Sequence, residues 1–259
     1  MSLYKISVSK AKTFESCKKK FEYNYLLKLK PKDFLFFDYG KMLHMVLEDF
    51  HLALMADASI NQSQTMGKCF KEAQKKYGAK LSEDDMKEAY RTIDEYLQIL
   101  AAQETPAEII GVEKNFKLDI DGVVTLIGMI DRCQKDPDGM LHVLDYKTSK
   151  NMKYYEDDFF QMQVYSYVMM TEDPSLQTIR CSYMFLRHGF CCITKEFNRQ
   201  EIMEMKQTFI NFAQDMQNEK EFQPSASYLC NWCGFLDHCS EGKKAVLPKP
   251  IKSGETSWT

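Results

Sequence analysis

The sequence predicts an α/β protein whose core runs helix, three strands, helix, strand. Two changes of rhythm carry that prediction. Apolar residues recur at helical spacing up to Pro106; period-two alternation from Val112 to Ile120 and a β-branched run from Val123 to Ile130 then replace it. Helical spacing then returns at Phe159, and strand patterns follow it from Thr178.

Gly40 to Met55 is the first helix, because Leu43, Leu47, Phe50 and Leu54 make one apolar stripe. Glu83 to Gln103 is a second, with Met86, Tyr90, Ile93, Leu97 and Leu100 on its stripe. The polar, lysine-rich stretch Ala56 to Ser82 has room for another, so residues 56–110 read as a helical insertion before the strands. Val112, Phe116, Leu118 and Ile120 mark the first strand, and Asp121-Gly122 is a hairpin signal. A β-branched run from Val123 to Ile130 makes the second strand, the turn Asp136 to Gly139 follows, and Met140 to Lys147 makes the third. Phe159 to Met170 is helical, Thr178 to Leu186 a strand, and Phe190 to Phe197 another after the turn His188-Gly189. Glu201 to Asn218 closes with a helix, and Pro, Lys, Ser and Gly from Pro248 onward read as a frayed tail over 248–259. Residues 1–247 therefore read as one domain.

A formal charge of −3 gives no global basic field, although a local basic groove stays compatible with it. No apolar run is long enough for a membrane helix, so no membrane partner is expected. The N-terminus has no secretion signal, and nine cysteines, an odd number, do not suggest a disulfide framework. Reduced thiols in a cytoplasm are the expectation. Cys69, Cys133, Cys181, Cys191 and Cys192 lie in apolar or strand-like surroundings and read as buried structural thiols.

The chemistry concentrates in Asp131 and Asp145-Tyr146-Lys147. Position 138, inside the turn, is the midpoint between 131 and 145. In a regular hairpin the two aspartates face each other on adjacent strands, and Lys147, two residues on, shares their face. Close carboxylates repel unless one is protonated or a cation joins them, and hard oxygen ligands favour Mg²⁺ or Mn²⁺. Such an ion would polarise a phosphoryl oxygen while Lys147 stabilises developing charge. The same residues equally describe a surface hairpin with a weak cross-strand Asp–Lys pair. By spacing alone His44 is a core-edge histidine, and Tyr165 and Tyr167 are core aromatics. Glu48 either orients His44 or is solvated, and Glu113 is either an extra acidic residue of the site or, the reading preferred, a solvated strand position.

Gly128-Met129-Ile130-Asp131-Arg132 with Val143-Leu144-Asp145-Tyr146-Lys147-Thr148 resembles the core of PD-(D/E)XK nucleases of the RecB exonuclease type. Gln161 and Tyr165 match that family's Gln-x-x-x-Tyr motif, and Gly40 to His44 its upstream Gly-x-x-x-His segment. The resemblance implies a restriction-endonuclease-like αβββαβ core with a mixed sheet. It implies His44, Asp131, Asp145 and the Tyr146 carbonyl as ligands of Mg²⁺ or Mn²⁺, with Lys147 as the catalytic lysine. Gln161 and Tyr165 would position DNA or that lysine.

Cys230-x-x-Cys233-x5-Cys239 is a compact thiolate set that lacks a fourth ligand. His238 would complete a Cys₃His zinc site. Alternatively, Ser7-x-Ser9, then Phe14-Glu15-Ser16-Cys17, resembles the N-terminal segment of RecB-like nucleases that carry a 4Fe-4S cluster. That subgroup includes the CRISPR-associated RecB-like exonuclease and the AddB nuclease domain. The resemblance implies Cys17, Cys230, Cys233 and Cys239 as cluster ligands, with residues 1–30 and 220–247 forming the cluster-binding part. Lys18 departs from the proline often found after the first cysteine of that subgroup.

Lys10, Lys18, Lys19 and Lys20 with Tyr23 put basic charge beside aromatic rings, either to guide single-stranded DNA or as the solvated face of an amphipathic helix. The function expected is a divalent-metal-dependent DNA exonuclease acting on single strands or DNA ends. The alternatives are a DNA-end-binding partner in CRISPR spacer acquisition or recombination whose cleavage is incidental, and an inactive zinc-stapled module. No phosphate-binding Gly-x4-Gly-Lys loop is present, so a helicase partner would be a separate chain, and a CRISPR integrase is the other candidate partner. A prokaryotic or phage origin fits this company.

Overall fold

The computed structural model describes residues 4–32 and 36–246. The expected tail over 248–259 lies outside them. In chain order the elements are β1 (Tyr4–Ile6), α1 (Val8–Ser16), α2 (Lys18–Phe21), α3 (Phe36–Ala56), α4 (Gln62–Tyr77) and α5 (Glu83–Ala101). Next come β2 (Glu108–Ile120), β3 (Val124–Lys135), β4 (Leu141–Lys147), α6 (Phe160–Glu172), β5 (Thr178–Phe185) and β6 (Cys191–Asn198). α7 (Arg199–Met203), α8 (Lys206–Asn218) and α9 (Ser240–Ala245) complete the set. The described residues form two compact units, 4–8 with 36–214 and 9–32 with 215–246.

The first unit is built on a mixed six-stranded sheet ordered β1-β3-β4-β5-β6, with β2 along the other edge of β3. β2 and β3 form the long antiparallel hairpin predicted around Asp121-Gly122, and both turn residues have positive φ, 52° and 67°. β4 joins β3 antiparallel, with Arg132 opposite Leu144 and Lys135 opposite Leu141, the register implied by a turn centred on 138. β4 then pairs parallel with β5, a connection that needs a crossover, and α6 supplies it. β1, a three-residue strand without a sequence signal, pairs parallel with Val124 to Leu126. The free edge of β3 is therefore shared: β1 takes its first half, β4 its last, and Ile127 to Asp131 lie between.

Helices α3, α4 and α5 pack on one another around Leu43, Leu47, Phe50, Met66, Phe70 and Ile93, all buried. The insertion thus completes the core of α3. Tyr90 is a correction: it is 52% exposed, because the buried face of α5 centres on Ala89, Ile93 and Tyr96. The single closing helix expected from Glu201 to Asn218 is two helices, α7 and α8, separated by a tighter turn in which the Met205 N–H donates to Ile202 O (3.1 Å). Cys133 and Cys181 are buried as expected, and burial pushes their thiols up to about 11 and about 12. Cys69 is half-buried, whereas Cys191 and Cys192 are exposed, because β6 is the outermost strand on its side and little covers its faces.

The second unit is held by aromatic contacts among residues far apart in sequence. Phe21 meets Phe14 edge-on at 5.0 Å and stacks on Phe222 at 6.2 Å. Tyr23 packs on Phe235 and donates its hydroxyl to His238 O (2.8 Å). Gly234 accepts a hydrogen bond from Lys32 N at 2.8 Å, and a Cβ there would come within 2.8 Å of Pro31, so only glycine allows this approach.

Candidate active site

Three features of the backbone bring the acidic residues together. The β3–β4 ladder ends at Arg132 and Leu144, so the strands part just where Asp131 and Asp145 follow. Asp131 bridges the gap: its Oδ2 accepts the Tyr146 N–H at 2.7 Å in place of a ladder carbonyl. On the other side of β3, Glu113 has φ 47°, a conformation a non-glycine residue adopts at a cost, and the β2–β3 pairing skips it. Helix α3 lies close above, because Gly40 leaves space: a Cβ there would sit 2.9 Å from Thr148 Oγ1. One turn on, His44 Nε2 is 3.1 Å from the Tyr146 carbonyl and its Nδ1 3.6 Å from Asp131 Oδ2.

One ligand atom each from His44, Glu113 and Asp131 falls within a 4.8 Å cluster. Burial, then repulsion by Asp145, holds the Asp131 carboxyl well above the usual carboxylate range. Glu113 is pushed up to about 7 by burial and then by Glu48 and Asp145. Burial lowers His44, which leaves its imidazole neutral and able to ligate. An open groove of about 330 Å³ leads to the three, with Glu48, Lys41 and Lys76 on its walls. Among the described residues Glu48 makes no hydrogen bond to His44, and burial raises its carboxyl.

Asp145 and Lys147 form a second, adjoining network. Lys147 Nζ stands 2.5 Å from Asp145 Oδ2 and donates to Gln161 Oε1 at 2.9 Å. Gln161 Nε2 donates to Asp145 Oδ1 (2.5 Å) and to the Tyr165 hydroxyl (2.7 Å), and Tyr165 donates to Asp145 Oδ1 at 3.2 Å. Burial works to lower the Lys147 pKa, but attraction and hydrogen bonding to Asp145 outweigh it and keep the ammonium charged. Its charge also lies over the rings of Tyr183 (5.1 Å) and Tyr155 (5.5 Å). Phe116 meets the Tyr165 ring edge-on at 6.0 Å and lies across Gly128, where a Cβ would come within 2.5 Å of it.

In the second unit, Cys17, Cys230, Cys233 and Cys239 line one small cavity of about 30 Å³, and His238 is not among its lining residues. Backbone N–H groups of Lys20 and Ser225 approach Cys17 Sγ (3.4 and 3.5 Å), that of Ser227 approaches Cys230 Sγ (3.4 Å), and that of Gly242 approaches Cys239 Sγ (3.3 Å). The basic residues expected to guide DNA are engaged within the unit. Lys18 pairs with Glu219, Lys19 with Glu22 at 2.6 Å, Lys10 lies over Phe21 and Tyr25, and Lys20 lines the cysteine cavity.

A profile of the PD-(D/E)XK nuclease superfamily matches residues 5–240. The chain belongs to this superfamily. Among solved structures, a candidate exonuclease from Eubacterium rectale superposes with a TM-score of 0.54 at 13% identity, covering 97% of this chain and 94% of that one. The protein SSO0001 aligns with a TM-score of 0.44 at 16% identity, covering 93% and 87%. A search among curated proteins found no match.

PD-(D/E)XK nucleases use divalent metals, and the donor set in this member fits one. Two carboxylates and a neutral imidazole converge beside a backbone carbonyl, and the buried Asp145 Oδ2 meets the Lys147 ammonium. Glu113, which the sequence offers as an extra acid but favours as a solvated strand residue, belongs to the acidic group. It is half-buried and close to Asp131 rather than solvated, because the irregular backbone at this point turns it into the groove. A lone glutamate in a strand gives no sign of that turn.

Proposed function

We propose that the chain is a Mg²⁺- or Mn²⁺-dependent DNA exonuclease acting on single strands or free ends. The observation that carries this reading is the meeting, at the parting of β3 and β4, of the acidic cluster with a charged, fully partnered lysine. His44, Glu113, Asp131, Asp145 and the Tyr146 carbonyl would hold the ion. When bound, it supplies Lewis-acid polarisation of the scissile phosphate and a more acidic water. Lys147 presents an ammonium, so it offers charge and a proton to the phosphate oxygens rather than taking a proton from water. Gln161 and Tyr165 fix Asp145 and Lys147 in place and spare them any reorganisation during reaction. The likeness to a candidate exonuclease agrees with end-dependent cleavage but extends only to the fold.

The RecB-like, cluster-bearing branch is the finer assignment, with Cys17, Cys230, Cys233 and Cys239 as ligands of a 4Fe-4S cluster. All four cysteines line one cavity and His238 does not, which supports four thiolates over a Cys₃His zinc set. We place the protein in a prokaryotic or phage cytoplasm, beside a helicase or CRISPR integrase.

Linear and circular single-stranded DNA, incubated with anaerobically purified protein and Mn²⁺, test the reading. The linear form should be degraded to short products and the circle spared; binding of both without turnover would favour an end-binding partner instead.

A further inference from the structure

Arg132 follows Asp131 on β3, so alternation sends its side chain to the opposite face of the sheet. There it is buried, 8% exposed, and its partners are all neutral. One terminal nitrogen donates to His51 Nε2 (3.0 Å) and the Tyr96 hydroxyl (2.8 Å), and the other donates to Gln134 Oε1. Among the described residues its Nε–H has no hydrogen-bond partner, and no carboxylate pairs with the charge. Burial, with the nearby guanidinium second, keeps His51 neutral, so it adds no charge of its own. A buried, uncompensated cation is costly unless something completes it.

The same guanidinium lines a cavity of about 550 Å³ that opens between α3, α5 and the start of β2. Its walls are mixed: Leu54, Leu100, Pro106 and Ile109 are apolar, Arg132 and Gln134 lie at the β3 side, and one carboxylate, the exposed Glu108 at the start of β2, also lines it. A space of this size, with apolar walls and a few convergent polar groups, has the form of a small-ligand site.

We propose that this cavity binds a small organic anion, with its phosphate or carboxylate on Arg132 and a flat body against the apolar wall. A nucleoside monophosphate has the charge and bulk the space calls for. The site is separate from the acidic cluster and does not depend on the hydrolytic reading. A ligand there would touch the strands from behind the acids, since the Tyr146 hydroxyl also reaches His51 Nδ1 at 3.4 Å.

Titration calorimetry on the full chain in EDTA, with dTMP, thymidine, inorganic phosphate and benzoate as probes, tests this. Either dTMP or benzoate should bind and thymidine should not; which of the two binds identifies the source of the anion. Inorganic phosphate, lacking the flat body, should bind more weakly. Ala107→Trp, which fills the cavity without touching the charge, and Arg132→Met should each weaken binding about tenfold or more. Lys147→Ala should leave it unchanged. No binding of either anion, undiminished binding in Ala107→Trp, or loss in Lys147→Ala would each overturn the proposal.

Discussion

Replacing Glu113 by glutamine isolates what the acidic cluster costs the protein when no cation is bound. Glutamine keeps the size of the side chain and the same φ of 47°, so backbone strain is unchanged and only the charge disappears. Glu113 is pushed from an ordinary 4.5 up to about 7, chiefly by burial. The folded state therefore holds the proton more tightly than the unfolded chain, and this contribution to stability is complete below pH 4.5 and lost as pH rises through 7. Two and a half decades of proton affinity correspond to about 3.4 kcal/mol, which solvent reaching this half-buried group reduces to ~1–2 kcal/mol. Thermal melts in EDTA should show wild type losing stability from pH 5 to pH 8.5 relative to Glu113→Gln. At pH 8.5 the variant should melt a few degrees higher, at about 2–4 °C per kcal/mol. Mn²⁺ should reverse the order by stabilising wild type more. Melting curves that stay parallel across the pH range, or a variant less stable at pH 8.5 in EDTA, would refute the electrostatic account of this cluster.

Three further outcomes follow from close contacts and from the thiolates. Gly128→Ala drives a methyl into the Phe116 ring and should cost about 1–3 kcal/mol in denaturant melts, a loss that Phe116→Leu partly restores. Gly40→Ala crowds Thr148 Oγ1 and should push α3 away from the end of β4, weakening Mn²⁺ binding by calorimetry, and adding Thr148→Ala should recover it. Cys230→Ser should remove iron from anaerobically purified protein, read by elemental analysis and by loss of visible absorbance, whereas a wild-type preparation that carries zinc and no iron contradicts the cluster assignment.

Much of this arrangement is legible in the residues themselves. The Asp136 to Gly139 turn dictates which residues of β3 and β4 face each other, because register in a hairpin follows from its turn. Helical spacing alone sets Gln161 and Tyr165 on one face of α6, where both reach Asp145. Other features depend on contacts distant in sequence. Glu113 enters the site through a left-handed residue inside a strand, which no local preference encodes. β1 is three residues long and exists only because β3 offers it an edge. Cys191 and Cys192 read as interior residues until β6 is seen to be an outer strand. Arg132, part of the motif by its neighbour alone, discloses its isolation only once α3 and α5 bring His51 and Tyr96 against it.

Cleavage and binding measured together on Lys147→Ala test the central claim most directly. With linear single-stranded DNA and saturating Mn²⁺, the variant should bind DNA as wild type does while its cleavage rate falls by about 10²–10³-fold, the scale expected for losing one transition-state charge contact. A Lys147→Ala protein that cleaves at the wild-type rate would contradict the placing of the hydrolytic centre at the parting of β3 and β4.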